Sequence, residues 1–256
     1  MADELMVNID NRIFSANADG NLFVSRDGMY EWWDSPETRT SDDPLPQSHG
    51  SQTPASILLG ARRWTFQGWA ESDTPEEAET DFRVWATGLA LKPMFLVGVY
   101  HAGRWMWMRN ASVRGQVKIK PHRNDLRRTD IEMVLWSPDA FKYTDEVTRR
   151  FSTATSFTIT NRSTGPIYPW YEFEGSQMEI TTSRGEGIKL NAPTNTGTTK
   201  ISPYVGGRAI QARGSGEVDL TLWLERAQWP VVHPGETVTF TTDRAVTVRH
   251  YGGAFL

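Results

Sequence analysis

Five histidines carry the most versatile chemistry in this 256-residue chain: His49, His101, His122, His233 and His250. A metal centre or a proton-transfer pair needs such groups at short, regular spacing. No two of them lie within four residues of each other, and each falls in or near a turn or a strand end, so they read as polar turn residues. The adjacent acids Asp42-Asp43 sit in a proline-rich loop, where neighbouring side chains on an extended chain point apart and cannot share a substrate. No Gly-x-Ser-x-Gly, phosphate loop or dinucleotide fingerprint occurs. The pairs Gly206-Gly207 and Gly252-Gly253 precede no helix and read as turns or bulges. Cysteine is absent, which excludes disulfides, thiolate metal sites and a cysteine nucleophile together. The expectation is a protein without catalytic residues, cofactor or metal: not an enzyme.

Aromatic and charged residues offer binding chemistry instead. Flat rings stack on sugars, and among the 11 tryptophans the best platforms are Trp32-Trp33, beside the long loop, and Trp170-Tyr171, just after Pro169. More often such rings fill a sandwich core or a subunit interface, and for the interface Trp32, Trp33 and the loop residue Leu45 are candidates. Charge is unevenly placed. Residues 1–81 hold 16 acids against 5 bases, whereas residues 101–128 hold 8 bases against Asp125 alone. The basic stretch, with Trp105 and Trp107 interleaved, is the kind of surface that touches nucleic acid. It is a short line on one hairpin in a chain of net charge −4, so no sequence-specific nucleic-acid binding is expected. Opposite charge on opposite faces suits head-to-tail packing of identical subunits. Arg114, Lys118 and Lys120 are therefore candidates for meeting the acidic first third of a neighbouring copy.

The elements that must position these residues are mostly strands. Turn signals at 17–20 and 26–28 bracket the short apolar run 22–24. Residues 34–56 lose all periodicity and read as one long loop. In 63–69, Trp64, Phe66 and Gly68 alternate with Arg63, Thr65 and Gln67. One helix is predicted over about 75–91: Thr74 caps it, Pro75 opens it, Glu76 and Glu77 face the dipole, and Ala78, Phe82, Trp85, Ala86 and Leu89 form its buried stripe. Strands at 94–100, 105–109, 113–120 and 129–136 follow, the last two as a hairpin with one charged face. The pattern breaks at Ser137-Pro138, which puts a domain boundary near residue 145. The remainder, 146–256, reads as short strands and polar turns, with 217–224 as its clearest strand. The fold class is thus mainly β: two sandwich- or barrel-like domains, the first (1–145) with one packed helix. No apolar run approaches the roughly 20 residues of a membrane helix, and the opening Met1-Ala2-Asp3-Glu4 is acidic where a signal peptide is basic, so a soluble protein made in the cytoplasm is expected.

Several segments, taken in order, carry a resemblance. They are Ser137-Pro138-Asp139-Ala140-Phe141-Lys142-Tyr143, Thr160-Asn161-Arg162-Ser163-Thr164-Gly165, Pro169-Trp170-Tyr171-Glu172-Phe173-Glu174-Gly175 and Trp229-Pro230-Val231-Val232-His233-Pro234-Gly235-Glu236. From about Ile57 to the end the chain resembles the distal tail protein, or minor tail protein, of long-tailed phages. The resemblance implies a hexameric ring built by the first domain, with a galectin-like sandwich as the second. It implies a place at the virion's tail tip after assembly in the host cytoplasm. The partners would be further copies, the tail tube, the tail hub or baseplate and the tape-measure protein, with no membrane partner. A carbohydrate-binding module contacting the host surface is the alternative. Sugar binding is not carried over from the galectin-like fold, because 150–256 holds no matching cluster of His, Asn, Arg, Trp and Glu at suitable spacing.

Overall fold

The computed structural model describes residues 5–17, 21–25, 27–39, 58–193, 196–203, 207–213 and 216–256. Leu45, His49, the Asp42-Asp43 pair and most of the 34–56 loop lie outside them. The chain forms two compact units, Met1–Lys142 (with Leu256) and Tyr143–Phe255.

The first unit is a closed barrel of seven strands. In spatial order they are Arg104–His122, Phe95–His101, Met6–Ile9, Arg12–Ser15, Leu22–Val24, Arg62–Glu71 and Asp125–Ser137, and the last pairs back onto the first. Closure leaves the barrel no unpaired edge. Arg62–Glu71 and Asp125–Ser137 pair through ten consecutive positions, from Arg62↔Ser137 to Glu71↔Arg128. That register sends Trp64 and Phe66 inward with Ile131, Met133 and Leu135, as the alternation of residue types predicts. Burying side chains of this size contributes roughly 1.5–3 kcal/mol each.

The helix spans 75–91 and packs Ala78, Phe82, Ala86 and Leu89 into buried positions. Its start is a capping box: Thr74 Oγ1 accepts from the Glu77 amide at 3.2 Å, and Glu77 Oε2 accepts from the Thr74 amide at 3.3 Å. A wider turn at Ala78–Phe82 interrupts the α-helical pattern before Arg83–Leu91 resumes it. Lys92 turns extended just before Pro93, which disfavours helical geometry in the residue preceding it.

The second unit is a sandwich. One sheet runs Glu146–Phe151, Val246–Tyr251, Trp170–Glu174, Thr198–Ser202, Arg208–Arg213, Gly216–Asp219; the other runs Thr155–Thr160, Thr237–Thr242, Gln177–Thr182, Gly187–Asn191, Leu224–Ala227. Phe157, Ile180, Leu190, Tyr171, Phe240 and Val248 belong to its buried core. The strand expected over 217–224 is two strands in different sheets. Asp219 Oδ1 accepts from the Thr221 amide at 2.8 Å and starts a single 3₁₀ turn, Thr221–Trp223, between them. Leu220 is buried, while Leu222 and Trp223 point outward.

Two of the quoted segments meet in this unit. Asn161 is buried, and its Nδ2 donates to Gly165 O and Val232 O, both at 2.8 Å. Its backbone carbonyl accepts from the Gly235 amide, and its own amide donates to Glu236 O. One asparagine thus ties the 160–165 turn to the 229–236 turn.

Candidate assembly surfaces

Around Trp32 the first unit holds two buried cations. Trp32 is fully buried and meets Trp64 edge-to-face at 5.2 Å, so it is a core residue and is corrected as an interface candidate: its ring has no surface to offer a neighbour. Arg62 donates to Asp34 O at 2.8 Å and to Ala140 O at 3.1 and 3.2 Å. Lys142 Nζ donates to Trp32 O at 3.0 Å. Burial lowers the Lys142 ammonium to about 8, helped by the Arg62 charge and opposed by Asp34. Burial likewise lowers Arg62, against the pull of Asp139 and Asp34. Trp33, by contrast, is 49% exposed and rests edge-on against His101 at 4.9 Å. It stays available for contact.

The hairpin of Arg104–His122 and Asp125–Ser137 carries the basic candidates. Its register slips between Arg114↔Val134 and Lys118↔Glu132, leaving residues 115–117 opposite a single position. Gly115 accommodates this bulge with φ +79°. Arg114 lies 4.0 Å from the Trp136 ring centre, and Lys118 pairs with Glu132. Both are exposed yet engaged within their own subunit. Lys120 is exposed and borders a shallow groove of about 310 Å3 with Gln67, Lys118, Arg128, Asp130 and Glu132.

A second outer wall gathers rings that the sequence offered only as interleaved with the basic stretch. Trp105 and Trp107 stack at 5.0 Å, and Tyr100 lies 5.5 Å from Trp105. Gly98 pairs with Trp107, and a Cβ there would come within 2.3 Å of the indole. Nearby in sequence, Leu91, Met94 and Leu96 are exposed. The available signal was a glycine facing a tryptophan across a hairpin, together with apolar residues continuing past the helix end.

In the second unit the proposed sugar platform is overturned. Trp170 is 6% exposed and touches Tyr251 at 5.3 Å, and Tyr171 is fully buried, its phenol pushed up by desolvation. Rings packed in a core cannot stack on a sugar. Among the described residues of this unit the exposed aromatic is Trp223, beside the almost fully exposed Leu222.

The described histidines are dispersed. His122 faces Asp130 at 3.4 Å, His233 lies in a turn, and buried His250 contacts Tyr251 O. Among the described residues no three His, Asp or Glu side chains converge as a metal site, and no helix is long and apolar enough to cross a membrane.

No family model and no curated protein matches the chain in sequence. Solved structures do match it in shape. The Dit protein (gp 19.1) of phage SPP1, described as a paradigm of the hub adsorption apparatus in phages infecting Gram-positive bacteria, aligns with 98% of this chain and 99% of its own, with a TM-score of 0.68 at 14% identity. The chain has the fold of a phage tail-hub protein. Two structures of the phage p2 baseplate in its activated conformation, with strontium and with calcium, align over 98% of both chains with TM-scores of 0.62 and 0.63 at 8% identity. The likeness takes in both units, so it extends beyond one common sandwich.

Proposed function

We propose that the chain is a structural subunit of a phage tail tip, a distal tail protein whose copies close into a six-membered ring joining the tail tube to the hub or baseplate. The observation that carries this reading is the end-to-end match to the SPP1 Dit fold, across both units and in the same order. A closed barrel supports it: with its seven strands paired all the way round, the first unit meets its neighbours through side-chain walls, which suits a packed ring. The galectin-like second unit sits in the virion as a further contact module toward other tail proteins. The tape-measure protein and tail tube are the expected neighbours of the ring, and assembly takes place in the host cytoplasm. The role is mechanical, without catalysis. The carbohydrate-binding alternative has no observation in its favour, because its platform residues are buried.

Gold-labelled antibody against the chain, applied to intact virions, tests the assignment. Label at the tail end distal to the capsid is expected. Label on the capsid, or none on disrupted virions, refutes it.

A further inference from the structure

The six-stranded sheet of the second unit has two open ends of opposite character. At one end, every residue of Gly216–Asp219 is exposed, and the strand is bonded only to Arg208–Arg213. Its outer backbone groups form a template for another strand. Glu217 and Asp219 make this edge acidic, and Val218, Leu222 and Trp223 add exposed apolar surface beside it. At the other end lies Glu146–Phe151, bonded only to Val246–Tyr251. Glu146 pairs with Arg249 at 2.6 Å, a cation it shares with Glu172 at 3.1 Å, so exposed Arg149 and Arg150 outnumber the one unbalanced acid and set the sign of this edge. Arg149 also donates to Thr158 O at 2.8 Å.

Strand direction makes the two ends fit. All five pairings in this sheet are antiparallel, so its six strands alternate without exception. The first and last strands therefore run in opposite directions. A second copy placed head to tail in the same orientation brings its Glu146–Phe151 strand antiparallel to Gly216–Asp219, continuing the alternation. Pairing two Gly216–Asp219 edges about a two-fold axis would also be antiparallel, but it sets acid beside acid, which disfavours it.

We infer that the Gly216–Asp219 edge of one subunit adds to the Glu146–Phe151 edge of a second copy, joining the sandwiches of neighbouring subunits into one continuous sheet. The contact is heterologous, so it closes into a ring when each copy is rotated by a fixed fraction of a turn from the last. It goes beyond the tail-ring reading, which does not depend on it.

The absence of cysteine makes the test clean. Val218→Cys and Thr148→Cys, both at exposed positions, are purified separately with tags of different size. They are mixed and treated with mild oxidant or a short bismaleimide. Paired antiparallel strands bring Cα atoms within disulfide range, and the linker tolerates a slip in register. The mixed 148–218 product is expected in about threefold to tenfold excess over the 218–218 product, from the cross-strand charge preference. Adding Glu217→Lys and Asp219→Lys to the first variant should remove that excess, and adding Arg150→Glu to the second should restore part of it. Equal yields, a dominant 218–218 product or no product overturns the pairing, whatever the oligomeric state. Rings without the mixed product would leave the tail-ring reading standing alone; the mixed product without rings would do the reverse.

Discussion

Asn161 ties together two distant turns of the second unit. Its two buried Nδ2 bonds and its backbone bonds to Gly235 and Glu236 join turns about 70 residues apart in sequence. Asn161→Ala removes one of two donors from Gly165 O and Val232 O, which keep Ser163 Oγ and the Ile167 amide, and strips the buried Ser163 amide of its acceptor, so the expected loss is about 2–3 kcal/mol, read as a lowered urea midpoint. The turn chemistry of this asparagine was visible in the sequence; its distant partner was not, because hydrogen-bond partners across a fold leave no local mark. The same divide separates Trp33 from Trp32 and Trp223 from Trp170. Residue type announced aromatic surface, and only the register of packed strands decided which rings were buried. Lys142 gives a second prediction. Its folded value of about 8 lies below the ordinary lysine value near 10.5. Below about pH 8 both states hold the proton and the folded state bears the desolvation cost. From about pH 8 upward the unfolded state holds more protons, so stability rises with pH. Denaturant titrations between about pH 8 and 9.5 should show this rise, on the order of 1–2 kcal/mol, and Lys142→Met should remove it.

Elements governed by local rules were legible in full. The helix at 75–91 is written in Thr74, Pro75, Glu77 and the stripe ending at Leu89, and each of these acts where the rules place it. The broken strand at 217–224 was not legible, because alternation favoured a continuous strand and the Asp219 side-chain bond that starts the turn competes with it. Closure of the barrel was equally hidden, since it rests on the long pairing of Arg62–Glu71 with Asp125–Ser137 and on the return to Arg104–His122. On the hairpin, Arg114 and Lys118 already have partners in their own subunit, so Lys120 is the cleaner probe of contact with a neighbour. Lys120→Glu should weaken assembly two- to fivefold at low salt, with little change in subunit melting temperature. Sedimentation at low salt and at about 0.5 M salt checks this, and the difference should shrink at the higher value.

At the scale of the molecule, the mainly β character was readable from alternating runs and the turn signals between them. The surfaces through which copies meet were less readable, because an interface is a property of three-dimensional walls and edges. The account as a whole depends on this chain completing itself with further copies around a channel. Electron microscopy of the purified protein, alone and mixed with tail-tube protein, measures that directly. Closed rings of six subunits with a central opening are predicted. Single subunits persisting under both conditions would contradict the account.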